Sequence, residues 1–193
     1  MRHLTILFAF ILFCPFHTTG QKSVRLNKDC KIDTIYVSFK QTDTIDDKLA
    51  NELQNKFDSI ITDFNAQQDK SFKLVIDSSY STNTIKFVMG EIQYVNSKKR
   101  LLTAGIDIVC LIIDMLISPF PPIFPFYLSP CVFCKVDIIA TPDLINKNGK
   151  LFVNPDGSFA KKETQKKKFK KNFNKRFTKF FNEIDKQYKK NNK

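Results

Sequence analysis

The sequence predicts an α+β fold: a mixed sheet of about four to six strands with two long amphipathic helices packed on it, plus an apolar Pro-rich insertion. Three observations predict it. Period-two apolar runs are interspersed with a period-3.6 run over residues 31–155, and the C-terminal arm carries a phenylalanine stripe at helical spacing. Between them lie twenty uncharged residues, Met115 to Cys134, whose five prolines remove amide donors and break a regular helix.

Lys31 to Lys40 puts Ile35, Val37 and Phe39 on one face and reads as a buried strand. Thr44 then has the position of an N-cap with Asp47 three residues on, and Ile45, Leu49, Leu53, Phe57, Ile60, Ile61 and Phe64 follow at helical spacing. Phe72 to Asp77 reads as a second strand, ended by Ser78, Ser79, Ser81 and Asn83. Ile85, Phe87 and Met89 alternate, and Ile92 and Tyr94 resume on the opposite parity, which predicts a strand broken by a bulge at Gly90. Ile85, Val88, Met89, Ile92 and Val95 also fit a helix, against which Gly90 weighs about 1 kcal/mol. Leu111, Ile112, Ile113, Leu116 and Ile117 predict a short apolar helix, with the Pro-Phe stretch an extended loop beside it. Val136 to Pro142 and Lys150 to Asn154 flank Asn148-Gly149, a tight hairpin signal, and Pro155-Asp156-Gly157 closes the second arm. In the last element Phe169, Phe173, Phe177, Phe180, Phe181, Ile184 and Tyr188 fall within an arc of about 120° at 100° per residue.

The N-terminus has the form of an export signal. Met1-Arg2-His3 precedes the apolar run Leu4 to Phe16, and Thr18-Thr19-Gly20 offers a small-residue cleavage site. Phe13 stands where a lipoprotein signal places Gly, Ala or Ser before the modified Cys, here Cys14, so the expected product is unlipidated and starts at Gln21. The expected organisation is a signal peptide over 1–20, a body over 21–160 with its apolar insertion at 101–134, and a cationic helix over 161–193 packed on the body. The expected location is periplasmic or outer-envelope-associated in a bacterium; secretion, or anchoring through 101–134, is the alternative. A simple transmembrane helix in the insertion is opposed by its prolines and by Asp107 and Asp114 just upstream, which cost about 2.5 to 3.5 kcal/mol each near a bilayer centre.

Both histidines, His3 and His17, lie in the expected signal, so imidazole bases, Ser-His and Cys-His pairs and His-containing zinc sites are excluded from the mature chain. Cys30, Cys110, Cys131 and Cys134 remain, with disulfides permitted by export and the pairing open. Cys131 and Cys134 form a CxxC that leads into a strand pattern; extended, their Cα atoms stand about 10 Å apart, too far for a bridge. A structural or free pair is therefore expected, not a redox centre. No dinucleotide, phosphate-loop or nucleophile-elbow motif occurs, and no cofactor or metal is expected.

The run from Thr34-Ile35-Tyr36-Val37-Ser38-Phe39 and its long helix, through Leu74-Val75-Ile76 and Gly90-Glu91-Ile92, to the late Asn148-Gly149-Lys150 resembles the small exported α/β domains of the CsgG, LpoB and TolB amino-terminal kind. The resemblance covers most of residues 31–155. It implies an accessory role in a cell envelope, since those relatives are mostly lipoproteins that assist envelope machines, and it carries no site residue over.

Charge supplies the functional expectation. Fourteen of the thirty-one Lys and Arg residues fall between Lys161 and Lys193, against three acids there, while residues 21–160 hold sixteen of each sign. A neutral body with a cationic arm calls for an anionic partner. The expected contacts are Phe120, Phe124, Phe126 and Tyr127 of the apolar loop and Lys167, Lys171 and Lys175 of the helix, meeting an anionic membrane surface or an envelope protein. Nucleic acid is the disfavoured anion, because the interleaved Phe residues belong to a packing stripe and Arg176 is the lone arginine of the arm. The expected function is therefore a non-enzymatic, envelope-associated binding or accessory protein. The alternatives are a secreted membrane-active, toxin-like protein and a carboxylate-dependent hydrolase, for which Asp107 and Asp114, seven residues apart, form the candidate pair.

Overall fold

The computed structural model describes residues 24–27, 31–42, 45–77, 79, 82–96, 98, 101–102, 105–106, 108–109, 112, 134–145, 149–153 and 161–192. The expected signal peptide lies outside them, as do Cys30, Cys110, Cys131, Asp107, Asp114 and the loop residues Phe120, Phe124, Phe126 and Tyr127.

The fold is α+β. In chain order it comprises β1 (Thr34–Gln41), α1 (Asp47–Asn65), β2 (Lys73–Ile76), β3 (Thr84–Met89), β4 (Cys134–Ala140), β5 (Gly149–Val153) and α2 (Lys162–Asn191). The strands form one mixed sheet in the order β2-β1-β3-β4-β5. β1 runs parallel to both its neighbours, while β4 is antiparallel to β3 and β5. A parallel β1–β2 pair requires a crossover, and α1 provides it.

Both helices pack on one sheet face. Leu49, Leu53, Phe57, Ile60, Ile61 and Phe64 are the buried residues of α1, the same positions that set its periodicity. Phe169, Phe173, Phe177, Phe180, Phe181 and Ile184 are buried on α2. The two stripes meet over β1 and β3: the Phe57 and Phe177 rings lie 5.5 Å apart, Phe39 is 5.1 Å from Phe57, and Phe87 is 5.1 Å from Phe177. Most of these ring pairs are edge-on, the geometry the ring quadrupole favours. The opposite sheet face is more open, with Val75 41% and Ile139 45% exposed.

Amide side chains serve backbone groups that the ladder leaves over. Asn65, the last residue of α1, accepts from Leu74 N–H at 2.8 Å and donates to Leu74 C=O at 2.7 Å, so edge strand β2 has part of its outer face closed from within. Gln187 of α2 does the same for the N-terminal segment, accepting from Leu26 N–H and donating to Val24 C=O, both at 3.0 Å.

Three local expectations are corrected. The helix starts later than Thr44: Asp46 is the N-cap, its carboxylate accepting from Lys48 N–H at 3.1 Å. The bulged strand does not continue beyond Met89 except for a single bridge residue at Gln93. The chain instead turns toward α2, burying Ile92 and Val95, and Gln165 takes both backbone groups of Val95 in place of a strand partner, each at 3.2 Å. The hairpin of β4 and β5 forms, but its second arm starts one residue earlier than the pattern suggests, and Asn148 lies outside the described residues. Gly149 already belongs to β5, opposite Ile138, and in the connection Leu144 and Ile145 are buried in the core while Ile145 bridges Leu26. Gly149 is needed for close approach, since a Cβ there would collide with the Val24 side chain.

Candidate anionic-surface interface

The thirty residues of α2 separate into two opposed faces. Taking about 100° per residue, the buried phenylalanines centre on one direction and Lys167, Lys168, Lys171, Lys175, Lys179, Lys186 and Lys190 occupy an arc of about 140° on the other side. All seven are exposed. From Lys167 to Lys190 the ridge extends about 35 Å at 1.5 Å per residue. The structure thus brings together Lys167, Lys171 and Lys175 on one solvent-facing ridge, one turn apart.

The half-buried lysines of α2, Lys166, Lys170 and Lys189, behave differently. Lys170 reaches across to α1 and meets Glu52 at 2.6 Å, and Lys166 meets Asp46 at 3.5 Å. The bond from Lys170 holds the Glu52 carboxyl below its usual range. Lys189 meets Asp185 at 2.8 Å and Asp69 at 3.7 Å, and the bond to Asp185 raises its pKa. On the ridge itself, Lys179 pairs with Glu183 at 3.7 Å, and Lys167, Lys168, Lys171, Lys175, Lys186 and Lys190 have no acidic partner among the described residues. Asp46, Glu52, Asp69 and Asp185 therefore answer the half-buried lysines, and six of the seven ridge lysines stay uncompensated among the described residues.

A second surface emerges near the start of α2. Lys98, Leu101, Leu102, Gly105, Ile106, Ile108, Val109 and Ile112 are helical and exposed, Leu101 by 77% and Ile108 by 58%. Their approach is fixed from below by the Gln165–Val95 pair of bonds, and Lys162 lies over the Tyr94 ring at 5.5 Å. Burial, with the charges of Asp46 and Glu163 adding to it, pushes the Tyr94 phenol up to about 12, so it stays neutral. Replacing Gln165 with Leu should strand two backbone groups and speed amide exchange at Val95 by about tenfold, the equivalent of roughly 1 to 2 kcal/mol of local opening. Hydrogen exchange of the variant against the parent checks this.

Cys134, first residue of β4, is a buried free thiol whose Sγ lies 3.2 Å from Gly90 C=O. Burial pushes its pKa up to about 12, only partly offset by that backbone contact, so little thiolate forms near neutrality. A depression beside β1 and β2 gathers Asn65, Gln67, Gln68, Lys70, Ser71 and Lys73 around a single carboxylate, Asp33. Among the described residues no three His, Cys, Asp or Glu side chains converge as a metal site, and no helix is long and apolar enough to cross a membrane.

The lysine ridge was readable in the sequence through its periodicity. The apolar helical face was not singled out there, although Leu101, Leu102, Ile106, Ile108, Val109 and Ile112 share a helical period, because the denser Pro-Phe run downstream drew the apolar contact to Phe120–Tyr127. No model of a known protein family matches this chain, and no curated protein matches it.

Proposed function

We propose that this chain is an exported, non-enzymatic accessory protein that associates with an anionic membrane surface of the cell envelope. The observation that carries the reading is the division of α2 into a buried phenylalanine stripe and an opposed lysine ridge on which Lys179 alone has an acidic partner among the described residues. A helix docked this firmly needs no such charge for folding, and a few lysines would satisfy solubility. Lysines near an anionic leaflet contribute about 1 kcal/mol each before screening, so three or four engaged residues give measurable adhesion. The apolar surface near Leu101 and the uncharged run Met115 to Cys134 supply the part that salt does not screen.

Co-sedimentation with phosphatidylglycerol-containing vesicles tests it. Binding should weaken between low and high salt, as the Debye length falls from about 30 Å at 0.01 M to about 3 Å at 1 M. The triple variant Lys167→Gln, Lys171→Gln, Lys175→Gln should lose most of the low-salt binding while melting like the parent, since exposed substitutions cost within about 0.5 kcal/mol each. Equal failure of the parent to sediment with anionic and neutral vesicles would remove the membrane and favour a protein partner. Export and cleavage are checked together by the mass of the secreted chain, expected to begin at Gln21 without acyl groups.

A further inference from the structure

We propose that the helical face formed by Leu101, Leu102, Ile106, Ile108, Val109 and Ile112 is a lipid-inserting element that lies in the plane of an anionic bilayer interface, with the first turns of α2 at the headgroups. The proposal rests on the membrane reading above and assigns the site within it. At about 100° per residue these side chains, with Gly105 among them, fall within an arc of about 160°. They are exposed by 42% to 77%, and a Cβ built at Gly105 would meet nothing within 4 Å. Isolated exposed aliphatics are ordinary on protein surfaces, but six on one helical face make a contiguous apolar patch of the kind that marks an interaction site.

Charge selects the occupant. Lys98, Lys99, Arg100 and Asp107 are interspersed with the aliphatic residues in the sequence, and such charges suit a segment that lies in the interface and oppose one that crosses the hydrocarbon. Lys98 stands on the same arc one turn earlier, where its stem can follow the apolar face while the ammonium reaches headgroups. The clamp of Val95 by Gln165 holds the segment's origin against α2. Three residues of chain put the Lys98 Cα within about 11 Å of that of Val95. The neighbouring turns of α2 carry Lys161, Lys162, Lys166, Lys167 and Lys168 against one acid, Glu163. An apolar strip bordered by charge of one sign matches the acyl-headgroup boundary of an anionic bilayer, where lipid tails cover the strip and phosphates meet the lysines. An apolar protein groove would have no use for the cationic border.

The chain contains no tryptophan, so a single introduced indole reports one position. Ile108→Trp and, separately, Leu102→Trp are mixed with phosphatidylglycerol vesicles whose acyl chains carry bromine. The expected result for both variants is a blue shift on vesicle addition and a several-fold loss of emission from brominated relative to unbrominated lipid, with a circular dichroism spectrum like the parent's. If the protein sediments with the vesicles and neither reporter is quenched, this assignment is overturned while the lysine ridge keeps the membrane reading alive. If the protein does not sediment, the membrane reading fails and takes the assignment with it. If both reporters are already blue-shifted without vesicles, the face is covered by its own chain or a second copy, and the assignment is again overturned.

Discussion

Replacing Phe177 with alanine is expected to destabilise the protein by about 3 to 5 kcal/mol, the range for deleting a core aromatic. Phe177 is fully buried, and its ring lies 4.4 Å from that of Phe173, 5.1 Å from Phe87, 5.5 Å from Phe57 and 5.9 Å from Phe39. It is the position at which α2, α1, β1 and β3 share one contact. Truncation removes the apolar burial and leaves a cavity walled by four other rings, which cannot collapse without disturbing both helices at once. Against a typical domain stability of about 5 to 15 kcal/mol, the loss is large enough to populate unfolded chain. Urea unfolding should show a lower midpoint with an unchanged slope. Phe181→Ala should behave similarly, its ring lying within 6.3 Å of Phe57, Phe64 and Phe87. Lys171→Gln on the opposite face of the same helix should stay within about 0.5 kcal/mol of the parent. If Phe177→Ala and Phe181→Ala both melt like the parent, α2 is undocked in solution and its stripe is free for lipid or another chain.

That Phe177 could be named from sequence follows from repetition: a helix that buries one face over eight turns must repeat its apolar residues, and no other element imitates that period. α1 was legible for the same reason. What was not legible depends on single contacts between distant segments. Gln165, Gln187 and Asn65 are ordinary polar residues in the sequence, yet Gln165 and Asn65 each bond both backbone groups of one residue, Val95 and Leu74, and Gln187 bonds Leu26 N–H and Val24 C=O. The hairpin of β4 and β5 was legible from its two alternating arms, but the burial of Leu144 and Ile145 in the connection between them was not. Gly149 is constrained by Val24, a residue 125 positions earlier that no local pattern points to. The lysine ridge was visible as composition, but the sequence could not tell which lysines the acids of α1 would take. The helical spacing already sets Lys170 at the edge of the stripe and Lys167, Lys171 and Lys175 outward, and the helix pairing adds which acids Lys166 and Lys170 meet, Asp46 and Glu52.

Replacing Asp185 with asparagine should cost about 2 to 3 kcal/mol near neutrality, the value of hydrogen bonds to a charged group in a mostly buried setting. Asp185 is 3% exposed on α2, where it accepts from Ser71 N–H at 2.9 Å and from Lys189 Nζ at 2.8 Å, with Lys70 Nζ at 3.9 Å. It thereby fastens the turn between α1 and β2 to the last helix, and the Lys70 side chain beneath it is itself only 10% exposed. Asparagine keeps the shape and can still accept from Ser71, so the substitution isolates the charge. Burial alone would raise the carboxyl's pKa, but the bonds from Lys189 and from Ser71, together with the Lys189 charge, outweigh it and hold the group below its ordinary value. A carboxyl depressed in the folded state stabilises fully above the unfolded-chain value of about 3.9 and loses that contribution as the pH falls through the lower folded value. The gap between parent and Asp185→Asn should therefore hold from pH 7 down to about pH 5 and close in stronger acid. Urea midpoints of both proteins over a descending pH series measure it, and Lys189→Gln, alone and combined with Asp185→Asn, measures the coupling between the two charges. A gap that stays constant into strong acid would mean that the loss comes from packing and not from the carboxylate, and a coupling near zero would assign the stabilising charge to Lys70 in place of Lys189.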